Sequence, residues 1–324
     1  MVKNLLISGM ITILAVSLLV TFCHKSNHSI EATSVSTEKT IQNDILKELA
    51  NFNTDFSFAY KGNFVILKTA IQNIMDSIRK DNPYIYEHVA KWQMTMKYKG
   101  NNGTLTFKIN YLTDKQKEAY VSAEVKKIVE KILPNNATEF DKVKAVHDYI
   151  VLNSSYSSNT INSQYSAYTL LMEKKGVCQA YALLMVKMLQ ELNVDVKYVK
   201  GFSNNELHAW ALVKVDGAWY HVDPTWNDPI GIKNDEVWYK FFMQTDEQIS
   251  NTHSWKTSEY PVAKSEKYKG FQVATQAYTV NNQLFYVNEQ DKKYYQMDLK
   301  TWKNKAITQR QFTENKKAFV FLYY

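Results

Sequence analysis

Cys178, His208 and Asp223 are residue types that together can carry out nucleophilic acyl transfer. A cysteine nucleophile needs a base to hold its proton, and that base needs a third group to fix its tautomer and orientation. In this division of labour Cys178 attacks a carbonyl, His208 takes and returns the proton, and Asp223 holds the ring. The chain has two cysteines, and the other, Cys23, stands far upstream at the end of an apolar leader. No disulfide framework is therefore expected. His221 is the rival base. Cys, His and Asp are also metal ligands, but no second cysteine lies near Cys178 and no histidine pair has ligand spacing. Neither a metal nor a cofactor is expected.

These residues depend on the elements that carry them. Cys178 follows Gly176 at the head of a run, Ala180 to Leu189, rich in Ala, Leu and Met. That run predicts a helix starting at the cysteine. Helix N-termini offer unpaired N–H groups and the positive end of the dipole, which favour thiolate over thiol. A lone cysteine on an apolar helix is still more often core than chemistry. The downstream pattern reverses that weighting. Val194–Gly201, His208–Val215 and Ala218–Asp223 alternate as strands, and Asp216-Gly217 between the last two predicts a tight hairpin. A two-residue loop there pairs Trp210 with Asp223 and His208 with Thr225. His208 and Asp223 then share one face as diagonal neighbours, about 7–8 Å apart at the backbone and within side-chain reach. The Cys178 N–H would supply one oxyanion donor. Gln179, Tyr165 and Trp226 are candidates for the second.

Upstream, the uncharged run Leu5–Phe22 follows Lys3 and ends at Cys23-His24-Lys25. It predicts export, with segment 1–23 a signal peptide, a membrane anchor or a lipoprotein leader lipidated at Cys23. Residues 24–40 are Ser/Thr-rich and read as a flexible linker. Segment 41–134 reads as an α+β region: helices over Ile41–Asn51 and Asn63–Arg79, the second with Ile66, Ala70, Ile71 and Ile74 on one face, then a hairpin of Lys91–Lys99 and Gly103–Tyr111, then a helix from Asp114 to Ile132. Its histidine, His88, has no partner nearby in sequence and reads as structural. Thr138 and Asp141 have capping-box spacing for a helix to about Leu152, on which His147 rides as a core residue. Segment 135–262 holds the candidate chemistry. Segment 263–324 reads as β-rich, with strands over Phe271–Val280, Gln283–Val287, Lys293–Asp298 and Ala318–Tyr323. The net charge of +7 is spread without basic runs. It suits an anionic envelope or membrane surface, and no nucleic-acid partner is expected.

Three blocks carry a resemblance: Gly176-Val177-Cys178-Gln179-Ala180-Tyr181-Ala182, His208-Ala209-Trp210, and Trp219-Tyr220-His221-Val222-Asp223-Pro224-Thr225-Trp226. In order and spacing they resemble the transglutaminase-like superfamily of papain-like folds, over about residues 138–250. The resemblance implies an α+β core, with a cysteine-bearing helix packed on an antiparallel sheet, and it places the family's Cys, His and Asp on Cys178, His208 and Asp223. It also implies a cysteine enzyme acting on amide bonds of protein or peptide through a thioester. Members include cross-linkers, peptidases and amidases. The calcium loops and accessory domains of animal transglutaminases are not recognised in the chain, which tilts the expectation toward hydrolysis. The alternative is a cell-surface or cell-wall binding protein that uses the same fold as a scaffold.

Overall fold

Two stretches of the chain build separate cores, Met1–Glu118 and Ala119–Tyr324. The computed structural model describes residues 3–9, 27–31, 35–229 and 235–323. Most of the expected leader, with Cys23, lies outside the described residues, whereas much of the segment expected as a flexible linker is ordered, as a strand over Asn27–Glu31 and the start of a helix at Val35. Among the described residues no helix is long and apolar enough to cross a membrane.

The first unit runs β1 (Lys3–Gly9), β2 (Asn27–Glu31), α1 (Val35–Ala50), β3 (Asp55–Lys61), α2 (Phe64–Asp81), α3 (Pro83–Tyr86), β4 (Val89–Lys99) and β5 (Asn102–Tyr111). Its sheet has the order β1-β4-β5-β3-β2, antiparallel except where β2 meets β3. Period-two alternation turns Met94, Met96, Leu105 and Phe107 into one core, against Ile41, Ile45 and Leu49 of α1 and Leu67, Ile71, Ile74 and Ile78 of α2. The Asn63 side chain starts α2 by accepting the N–H groups of Val65 and Ile66. Ile66 was expected on the inward face but is 64% exposed. It sits one position before Leu67, and the helical period carries the buried stripe through Leu67 instead. His88 is buried, with Nδ1 donating to the Tyr84 carbonyl at 2.8 Å, in a structural setting.

The division between units falls near the start of α4 (Lys115–Ile132). Then come α5 (Glu139–Asn153), β6 (Ser155–Tyr156), α6 (Ala167–Glu173), β7 (Lys175–Gly176) and α7 (Cys178–Glu191). They are followed by β8 (Val196–Ser203), β9 (Glu206–Val215), β10 (Ala218–Val222), α8 (Asp246–Ile249) and β11 (His253–Trp255). Thr138 and Asp141 form the capping box of α5. Nearly every residue of α7 after Gln179 is buried, from Ala180 to Leu189 except Lys187, so this helix is the spine of the unit. It packs on β8 and β9 and against α5 and α6. The fold is α+β, as read from the sequence.

The sheet beside α7 has the order β10-β9-β8-β11, antiparallel throughout. Asp216 (φ 51°) and Gly217 (φ 79°) make the two-residue turn between β9 and β10. Successive positive φ angles are what a type I′ turn needs. The observed register, Ala218 opposite Val215 through Val222 opposite Ala211, is the expected one.

The remaining chain forms a second antiparallel sheet, β12 (Ala274–Val280), β13 (Gln283–Asn288), β14 (Tyr294–Asp298) and β15 (Asn304–Ile307), followed by α9 (Gln309–Tyr323). Two expectations are corrected here. Phe271 to Val273 lie in a 3-10 turn before β12, and Ala318–Tyr323 belong to α9 rather than a strand. The aromatic run at the end favours strand locally, but it continues a helix already begun at Gln309.

Gly201 on β8 allows the close approach of β11. A Cβ there would collide with the Ser254 carbonyl and come within 2.9 Å of Trp210 Cη2. Gly201→Ala should therefore cost about 1–3 kcal/mol in denaturant unfolding by overpacking. A variant as stable as the wild type would contradict the described fit of β11 on β8.

Candidate active site

The helix of Cys178 starts where it does because the chain before it is held extended. Lys175-Gly176 pairs with β6, and the Ser157 N–H donates to the Gly176 carbonyl at 2.9 Å. Val177 donates its N–H to the Gln164 carbonyl at 3.1 Å. Val177 is then the N-cap of α7, extended (φ −110°, ψ 176°) and without a capping side chain. Valine is a poor N-cap, and among the first-turn N–H groups that of Ala180 turns back to the Val177 carbonyl at 2.8 Å. With no side chain capping it, the positive dipole end faces whatever the half-buried Cys178 side chain meets.

His208 comes from β9. Its Nε2 donates to Asp223 Oδ2 at 2.7 Å, which leaves Nδ1 for the Cys178 thiol within hydrogen-bond reach. The ring stacks on Trp210, centroids 5.9 Å apart, and meets Trp226 edge-on at 6.3 Å. Burial opposes charge on the imidazole. The Asp223 carboxylate, and then Cys178, outweigh burial and push its pKa up to about 10. The ring is therefore a cation at neutral pH, the partner that a thiolate requires.

Asp223 follows β10 directly and is fully buried. Its Oδ1 accepts the N–H groups of Thr225 at 2.9 Å and Trp226 at 3.2 Å. Its Oδ2 accepts from His208 and also from His253 Nε2 at 3.0 Å. Burial alone would raise its pKa, but His208 and then His253 hold the carboxyl well below the usual range. The loop is fixed as well. Asp223 N–H donates to the Phe241 carbonyl at 2.9 Å. Asn227 Oδ1 accepts the Phe241 N–H at 2.8 Å, while its Nδ2 donates to His147 Nε2 at 2.9 Å. His147 is thus a buried anchor of the loop.

The rival His221 has both nitrogens committed. Nδ1 accepts the Trp210 indole N–H at 2.9 Å, and Nε2 donates to Asp246 Oδ1 at 2.8 Å. Burial, the largest influence, lowers its pKa. It supports Trp210 as a neutral imidazole. Among the oxyanion candidates, Trp226 spends its backbone N–H on Asp223, Tyr165 is 42% exposed, and Gln179 is the second residue of α7.

Two neighbours were not foreseen. Tyr156 of β6 has its hydroxyl pKa raised, mainly by burial and next by the charge of Cys178 beside it. His253 belongs to a three-residue strand whose partner, β8, is distant in sequence. No turn signal announces that pairing.

The ligand atoms of His208, Asp223 and His253 lie within 4.8 Å of one another, close enough to gather round a cation. Both imidazoles, however, direct Nε2 at the same carboxylate oxygen, as two N–H donors on one acceptor. A cation would have to displace both protons. A cavity of about 400 Å³ lies elsewhere, lined by α5 residues such as Lys144, Asp148 and Tyr149 and by Tyr278 and Asn281. None of the three candidate residues lines it, and its lysine is already paired with Asp148 at 2.6 Å.

Residues 126–224, which include all three candidates, match the family described as the transglutaminase-like superfamily. This stretch is the transglutaminase-like part of the chain. A curated relative, Uncharacterized protein YebA of Bacillus subtilis (strain 168), is 24% identical over 155 residues, covering 40% of this chain and 21% of its own length. A solved structure of a proposed cysteine protease from Cytophaga hutchinsonii is 21% identical, covering 42% of this chain and 58% of that one, at a TM-score of 0.29. A TGase structure is 15% identical, covering 55% of this chain and 53% of that one, at a TM-score of 0.30. The chain spans about a fifth of the Bacillus relative and little more than half of each of these two structures.

The transglutaminase-like site makes a kinetic prediction. His208 is cationic at neutral pH, so removing it withdraws the charge that favours a thiolate. Iodoacetamide should alkylate Cys178 at least about tenfold more slowly near pH 6–7 in His208→Ala. The two rates should converge above about pH 9, where an ordinary thiol ionises unaided. Superimposable profiles for the two proteins would show that the pair is not an activated one.

Proposed function

We propose that this protein is an exported cysteine enzyme that opens amide bonds of protein or peptide through a thioester on Cys178. The observation that carries the reading is the alignment of three groups: a thiol at an uncapped helix N-terminus, an imidazole beside it, and a buried carboxylate on the far nitrogen of that imidazole. The Cys178 thiolate attacks the carbonyl carbon. The Cys178 N–H at the start of α7 stabilises the oxyanion, and His208 Nδ1–H protonates the departing amine as the C–N bond breaks. His208, now neutral, takes a proton from water. The resulting hydroxide attacks the thioester, releasing a carboxylic acid and the free thiolate, with the imidazolium restored. Asp223 accepts the His208 Nε2–H throughout and stays ionised.

Hydrolysis is the proposed outcome, with water as the acceptor of the acyl group. Export rests on the apolar leader Leu5–Phe22, and the envelope or membrane is its proposed setting, with Cys23 the proposed lipid attachment point. Since Lys3–Gly9 pairs with β4, a chain that keeps its leader carries an extra edge strand and a cleaved one does not. N-terminal sequencing of the protein recovered from the cell envelope distinguishes the two.

Mass spectrometry of a peptide pool incubated with the protein and a primary amine tests the chemistry. Cleaved or deamidated peptides, lost in Cys178→Ser, are expected. Incorporation of the amine would reassign the enzyme to transamidation. A pool left unchanged by a protein with a reactive thiol would favour a binding role for the fold.

A further inference from the structure

Asp223 carries more than the His208 ring. The buried His253 points Nε2 at the same Oδ2, 3.0 Å away, from a strand on the opposite side of β8 from β9. Its ring is enclosed by Trp210, Trp226 and His208 at centroid distances of 5.0, 5.1 and 5.2 Å. Its Nδ1 lies 2.7 Å from Thr252 Oγ1, and that hydroxyl also lies 3.3 Å from the Ile249 carbonyl. The hydroxyl can donate to a neutral ring, or accept from a charged one while donating to Ile249. In both states the N–H facing Asp223 is preserved. A residue needed only to fill space there could be wholly apolar.

Resting on the reading of Cys178, His208 and Asp223 given above, we propose that His253 is a positioning residue for that triad. It locks the carboxylate in the orientation that His208 needs. The terminal torsion of an aspartate is soft. With donors on Oδ1 alone, the group could rotate or tilt away from His208. With His208 and His253 both on Oδ2, and Thr225 and Trp226 on Oδ1, neither oxygen can turn without losing two bonds. The second imidazole also stabilises the ionised carboxylate, so its loss should let Asp223 protonate at higher pH. A protonated Asp223 no longer orients or charges His208. The titratable groups around Asp223 are His208 from β9, His253 from β11, Cys178 from α7 and Tyr156 from β6, and His221 next to them is bound to Asp246.

The test is the rate of Cys178 alkylation by iodoacetamide against pH in the full chain, for wild type, His208→Ala, His253→Leu and His253→Gln. The glutamine amide can place an N–H where Nε2–H stands, whereas leucine only fills the space. Expected for His253→Leu is a loss of about tenfold to a hundredfold at neutral pH, with the acid limb displaced to higher pH. His253→Gln should recover most of the rate and the wild-type limb. If His253→Leu does not fold, a His253→Gln protein with the wild-type profile supports the proposal. A folded His253→Leu protein with the wild-type profile overturns it, as does a His253→Gln protein that has lost the profile. If wild type and His208→Ala are indistinguishable, the triad reading itself has failed. If they differ while His253→Leu matches wild type, only the role of His253 has failed.

Discussion

A charged carboxylate without solvent is the constraint on which this domain turns. An isolated carboxylate in a protein interior is costly enough to take up a proton instead. Asp223 avoids that with four donors: two backbone N–H groups of its own loop and two imidazoles from different strands. Each donor must arrive at a fixed place, so β9, β11 and the loop after β10 are located by one side chain. The supports behind them follow the same logic. His221 holds Trp210 beneath His208, and His147 holds Asn227, which holds the chain at Phe241.

The helix of Cys178 works by the opposite principle. Where Asp223 has every lone pair engaged, the start of α7 has a valine as its cap and no side chain to receive its first N–H groups. Local rules favour Ser, Thr, Asp or Asn at that position, as Thr138 supplies for α5 and Ser166 for α6. Departure from a local rule tends to mark a site where function competes with stability. The rest of α7 compensates by burying nearly its whole length.

How much of this was legible in the sequence follows from the range of the interactions. The β9–β10 register was readable because Asp216-Gly217 fixes the turn, and the turn fixes every pair behind it. The start of α5 was readable from Thr138 and Asp141, three residues apart. The pairing of β11 with β8 was not, since a three-residue strand has too little alternation to reveal a register and no turn joins it to its neighbour. His253 was hidden for that reason. Ala318–Tyr323 misled in the other direction: aromatic and β-branched residues favour strand, but the chain from Gln309 was already helical.

The order β10-β9-β8-β11 puts the loop of Asp223 beyond one outermost strand and His253 on the other. In a flat sheet those strands would stand roughly 14 Å apart, three interstrand spacings. Asp223 has left β10 by then, its N–H bound to the Phe241 carbonyl, and its side chain meets His253 at 3.0 Å, so the carboxylate acts as a clasp across the sheet. Placement of β11 and placement of the Asp223 loop are therefore coupled through one side chain. A shift at either edge of the sheet is felt at the carboxylate that both edges hold.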